Sequence, residues 1–241
     1  MGPHQWNHLT TMPTLGLMLV ICGLSTRAAG DPVTGQWEPT LQMEWWISGA
    51  GGGTLELIAD PLDDDRWQST GAVGDNWRVL TWSIIVDMTS GSPLLDIASL
   101  ITKNYTAADV QFTLTVDLDL TQQLTPDHRL LGDLEVILAG SQGAMWVPED
   151  DLWLWRLRSD GDDKGGIFPN PWRLEVEQGA VTASGVMDLP MVAPPSTSLG
   201  FGMGLMLTAG EGAYMNGVVA VPGAPAGLLL GTLLLGRRRR Y

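Results

Sequence analysis

Carboxylates offer the first candidate chemistry in this sequence. Asp160-Gly161-Asp162-Asp163-Lys164-Gly165-Gly166 sets three acids in a glycine-rich turn. Calcium takes about six to eight oxygen ligands and favours such loops, so Asp160, Asp162 and Asp163 are the candidate ligands of a Ca2+ ion. Lys164 and the absence of a closing Glu separate the segment from an EF-hand, and a solvated acidic hairpin turn accounts for the same residues. Asp60-Pro61-Leu62-Asp63-Asp64-Asp65 is a second acidic cluster. The calcium reading strengthens if the two clusters meet in space.

The tryptophans offer the second. There are 11, against three Phe and three Tyr. Trp153 and Trp155 are two apart, so on a strand they share a face; Trp45 and Trp46 are adjacent and point to opposite faces. Flat indoles exposed on a sheet stack against sugar rings in many carbohydrate-binding modules, which makes Trp153 and Trp155 the candidate glycan platform. Burial in an ordinary β core is the competing account of the same residues.

Other reaction centres find little support. His4 and His8 precede the N-terminal apolar run, so a Ser-His-Asp site would have to use His128, in a Pro-Asp-His-Arg loop. There is no G-x-S-x-G element. The glycines at 49–53 lack the Gly-Lys-Ser/Thr of a phosphate loop. A carboxylate pair could hydrolyse glycans, but 27 acids single out no pair. The chain therefore reads as a non-enzyme.

Charge and cysteine usage narrow the partners. All 27 Asp and Glu lie between Asp31 and Glu211, with only eight Lys and Arg among them, for a formal charge of −19. Such a body repels phosphate backbones and argues against nucleic acid. The single cysteine, Cys22, lies in the N-terminal apolar run. Once that run is removed, disulfides, thiolate metal sites and cysteine nucleophiles are excluded.

The two ends carry an address. Leu15 to Leu24, LGLMLVICGL, has the length of a signal-peptide apolar region and is too short to span a bilayer. Ala28-Ala29-Gly30 supplies small residues for cleavage, although no Lys or Arg precedes the apolar run. At the other end, Pro222-Gly223-Ala224-Pro225 marks a break, Ala226 to Gly236 is apolar, and Arg237, Arg238, Arg239 and Arg240 form a basic stop. Prolines end a strand, the apolar stretch enters a bilayer, and arginines hold its end on the cytoplasmic side.

This tail resembles the PEP-CTERM sorting signal of Gram-negative bacteria, over about the last 20 residues. No Glu stands between Pro222 and Pro225, a departure from that signal. The resemblance implies export, transient anchoring in the inner membrane, and processing by an exosortase-like membrane protease after signal peptidase has acted. It implies a destination at the cell surface or in its polysaccharide matrix, and no activity.

Between the ends the hydrophobic period is two. Val110, Phe112, Leu114, Val116, Leu118 and Leu120 alternate with polar residues, giving one apolar and one wet face, the mark of an antiparallel sheet. Trp172–Val176, Leu130–Leu138 (interrupted by Gly132) and Leu199–Leu207 behave alike. Further strands are expected at 41–47, 54–59, 77–88, 94–102, 152–158, 181–188 and 213–221. Turns are expected at 49–53, 60–61, 90–93, 104, 125–127, 159–166, 169–171 and 194–195. Ten or eleven strands so spaced predict an all-β fold, an antiparallel two-layer sandwich of jelly-roll type. The predicted organisation is a signal peptide over 1–30, one sandwich domain over 31–220 and a sorting tail over 221–241, with an apolar helix at each end.

Overall fold

The computed structural model describes residues 39–89, 92–120, 129–193 and 195–221. The expected leader and apolar segments, Cys22, His128 and the expected sorting residues Pro222, Pro225 and Arg237 to Arg240 lie outside the described residues. The described chain is all β, and its sheets are antiparallel.

β1 (Thr40–Ile47) and β2 (Gly51–Ile58) form a hairpin. β3 (Asp60–Asp63), β4 (Arg66–Gly74), β5 (Arg78–Asp87) and β6 (Leu94–Asn104) follow as a meander. Then come β7 (Val110–Asp119), β8 (Arg129–Gly140), β9 (Gly143–Trp146), β10 (Trp153–Ser159) and β11 (Asp162–Pro169). β12 (Arg173–Val176), β13 (Gly179–Pro190), β14 (Ser198–Leu207) and β15 (Gly212–Ala220) complete the series. One sheet runs β11-β10-β14-β7-β1-β2, with β9 and β12 attached beside β14; the other runs β13-β8-β15-β6-β5-β4-β3.

The sheets stack face to face as a sandwich-like fold. β11 lies against β13 at one side and β2 against β4 at the other. Leu41, Met43, Phe112, Leu114, Val116, Phe201 and Met203 of the first sheet meet Leu80, Ile84, Leu100, Val136 and Met215 of the second in one buried core. Gly132 lies within β8 and does not interrupt it: its ladders to β13 and β15 run through unbroken. A side chain at Gly132 would collide with Leu157 of the facing sheet. The glycine is a notch cut for that leucine.

The expected strands are present, and four more lie where the sequence pattern is weak. β4 is hidden because its inward residues are Trp67, Ser69, Gly71 and Val73. Ser69 Oγ accepts the Trp82 indole N–H at 3.4 Å, and Gly71 makes room for the same ring. β3 runs through an expected turn at Asp60-Pro61, where charge and proline suit an exposed sheet edge. β9 has only four residues. β11 begins at Asp162, so the turn expected over 159–166 closes within Asp160-Gly161. Gly165 and Gly166 are strand residues that leave space for Leu189 and Trp153.

Strand directions define two poles. At one, Thr40 and Val221, the two ends of the described body, lie beside the β3–β4, β10–β11 and β13–β14 connections. This is the terminal pole. At the other lie the loops 48–50, 75–77, 105–109, 141–142 and 208–211. A ten-residue strand separates the poles by roughly 33 Å.

Candidate functional site

The three acids of the expected calcium loop diverge. Asp160 Oδ1 accepts the backbone N–H groups of Ser196 and Thr197, each at 2.7 Å, and that of Ser198 at 3.4 Å. Burial opposes its ionisation, but these donors outweigh it and lower its pKa to about 2. Asp162 pairs with Lys164 at 3.1 Å. Asp163 pairs with Arg158 at 2.7 Å. Nor do the two acidic clusters meet: both are at the terminal pole, but Asp60 to Asp65 sit at the β3 edge of the second sheet, and the β10–β11 turn sits beside its opposite edge, β13. Among the described residues no three His, Cys, Asp or Glu could together hold a metal ion.

Trp155 points inward, but Leu154 beside it is buried in the core as well, so alternation breaks at this point of β10. Trp153 stays outside that core, over the Gly166 that pairs with outward-facing Arg156. Trp155 is 0% exposed, its ring stacked on Phe201 with centroids 4.4 Å apart. A sugar cannot reach it, so the expected pair is not a platform. Trp153 is half-buried above Gly166. Trp45 and Trp46 do point to opposite faces: Trp45 packs against the core and Trp46 is 44% exposed.

The outward face of the first sheet is a charged lattice. Arg158, Gly200 and Asp117 stand opposite one another on β10, β14 and β7. Arg158 reaches across β14 to Asp117, with contacts of 3.2 and 3.3 Å, because Gly200 carries no side chain in its path. Arg156 similarly lies over Gly202 and meets Asp151 at 3.3 Å. The alternating glycines of β14 are therefore a floor for ion pairs. Burial pushes the Asp151 carboxyl above its ordinary value, against the pull of Arg156.

The aromatic side chains left open are elsewhere. Trp77 is 60% exposed and Tyr105 51%, both at the pole opposite the terminal pole. The β5–β6 ladder begins at Arg78 opposite Asn104. The Tyr105 N–H donates to the Trp77 carbonyl at 2.7 Å and extends that ladder by one pair. Opposed residues of an antiparallel pair project on one face. With Trp46 at the end of β1, this makes an aromatic pole.

The frame beneath the pair is rigid. Asp75 Oδ1 accepts the N–H groups of Trp77 at 2.8 Å and Arg78 at 2.7 Å, while Arg78 Nη1 donates to Asp75 Oδ2 at 2.8 Å and to the Gly49 carbonyl at 3.2 Å. The Trp77 N–H, first among these donors, holds the Asp75 carboxyl below its ordinary value. Gly49 has φ +78° and lies under the Arg78 guanidinium, so neither its backbone nor its space admits a side chain. Asn104 is fully buried: its Nδ2 donates to the carbonyls of Ala108, Leu207 and Thr208, and its Oδ1 accepts from Thr106.

No protein-family model matches this chain, and no curated protein matches it. The site therefore rests on its own geometry. A hollow of about 580 Å³ opens at the same pole, lined by Gln142, Arg173, Glu175, Glu177, Gln178 and Thr208 among others. Its donors and acceptors are side by side, as in the Arg173–Glu175 contact at 2.6 Å. The sequence carried one signal for this site. Leu80, Trp82, Ile84 and Val86 fix the inward phase of β5, which puts Trp77 in the outward phase.

Proposed function

We propose that the chain is an exported, non-enzymatic protein of the cell surface or extracellular matrix. In this reading signal peptidase removes residues 1–30. The PEP-CTERM-like tail then holds the protein briefly in the inner membrane until an exosortase-like protease processes it near Pro222 and Pro225, with Arg237 to Arg240 as the cytoplasmic stop. The connections β6–β7, β7–β8, β13–β14 and β14–β15 each pass from one sheet to the other, which supports a jelly-roll-like sandwich. The observation that carries the reading is polarity: the body attaches to both terminal segments at one pole and keeps its exposed aromatic residues at the other. That is the geometry of a displayed module. The outward carboxylates Asp117, Asp151 and Asp163 are engaged by Arg156 and Arg158, which fits a structural role for them.

Mass spectrometry of the protein recovered from cell fractions tests this. The expected species lacks both terminal segments and is found at the surface or outside the cell. Replacing Arg237 to Arg240 with Gln should change the mass at the C-terminus. Full-length chain in the cytosol would refute the proposal. A second reading, a carbohydrate-binding module, is supported by the open pair Trp77 and Tyr105.

A further inference from the structure

We propose that the aromatic pole binds an uncharged polysaccharide, with Trp77 and Tyr105 as the stacking platform; this deepens the carbohydrate-binding reading and rests on it. The same sandwich buries Trp67, Trp82 and Trp155 completely or nearly so. Two neighbouring rings left more than half open are therefore a local exception to how this chain treats its aromatics.

The platform is preorganised. The two residues extend the β5–β6 ladder. The Asp75 turn fixes Trp77 from below, Arg78 ties that turn to Gly49 of the neighbouring loop, and buried Asn104 fixes the strand end before Tyr105. Binding to a rigid surface loses little conformational freedom. A pyranose offers an apolar C–H face to an aromatic ring and hydroxyls at its rim. Further along this pole, by β9 and β12 and with β15 between β8 and the β5–β6 ladder, lies a hollow. It presents Gln142, Gln178, Glu175, Glu177, Arg173 and Thr208, a separate set of groups that donate to and accept from hydroxyls of a long chain.

Charge selects among ligands. The region from Asp31 to Glu211 carries −19, so polymers of phosphate, sulfate or uronate are repelled. Arg78 is already engaged by Asp75. An uncharged glycan suits this surface better than an anionic one, and stacking suits it better than ion pairing.

The test uses the full chain purified from its cells, titrated by calorimetry and by tryptophan emission. The probes are hexasaccharides of β-1,3-glucan, β-1,4-glucan and α-mannan, with alginate as the anionic control. At least one neutral probe should bind and shift the emission, and alginate should not. Trp77→Ala and Tyr105→Ala should each weaken that binding about tenfold or more, roughly the loss of one good stacking contact, with unchanged melting temperature. Tyr105→Phe should keep the affinity, and Leu62→Ala at the terminal pole should change nothing. Neutral binding that survives both alanine variants overturns the site and leaves the carbohydrate reading standing. No binding by any neutral probe overturns both. Preference for alginate overturns the charge argument and with it the proposal. If the alanine variants alter self-association or capture of a protein partner and leave glycan binding untouched, the pole is a protein contact and the proposal fails.

Discussion

At the terminal pole the long β13–β14 connection is fastened by a carboxylate; at the aromatic pole the loops are fastened by an amide. Asp160 gathers the N–H groups of residues 196–198 from an exposed position. Asn104 gathers the carbonyls of residues 108, 207 and 208 from full burial. The carboxylate lock depends on ionisation and is screened by water. The amide lock has no charge to lose and sits where an unmade hydrogen bond is expensive. The pole that carries the aromatic pair is thus built to hold its shape, and the terminal pole is built with a weaker, pH-sensitive fastening.

The sharpest break of this comparison is Asn104→Ala. It strands several buried groups and should cost about 3 kcal/mol, seen as a lower denaturant midpoint with unchanged slope. A near-neutral result would remove the distinction between the poles. Asp160→Ala should cost less, about 1 kcal/mol after allowing for its exposure.

The pH profile separates the two locks further. The folded pKa of Asp160 is depressed to about 2 from an ordinary 3.8. Its contribution is complete above the ordinary value and is lost as pH falls toward and through about 2. Asp160→Asn should flatten that part of the stability curve; an unchanged acid limb would contradict the assignment. Asp75, also depressed, acts locally. Asp75→Ala should loosen the Trp77 turn and weaken neutral-glycan binding while the melting temperature stays put. The smallest expected effect is that of calcium. Because Asp160, Asp162 and Asp163 have separate partners, millimolar calcium or a chelator should leave the melting temperature unmoved, and a clear rise would show that the loop rearranges around the ion.

Much of the fold was legible because period two survives wherever one face is wet. Val110 to Leu120 announced β7, and β5 announced both its core residues and, by phase, Trp77 outside. The rest depended on partners distant in sequence. Nothing near Gly71 says that Trp82 needs its space. Nothing near Asp160 says that a loop 36 residues on will wrap it. Period two suggests one face for Trp153 and Trp155, but Leu154 and Trp155 are both buried in the core and Phe201 on β14 takes the Trp155 ring, neither of which the local spacing announces. Gly165 and Gly166 look like a turn by composition and are clearances for large side chains by position.

The central claim is that the body is displayed with the aromatic pole outward. Cysteine labelling on living cells tests it most directly, because the only cysteine, Cys22, lies in the N-terminal apolar run that the proposed processing removes. Ala107→Cys places a thiol in the β6–β7 loop beside Tyr105. A membrane-impermeant maleimide should label this variant on intact cells and leave the parent chain unlabelled. Labelling that appears only after the cells are lysed would contradict the account.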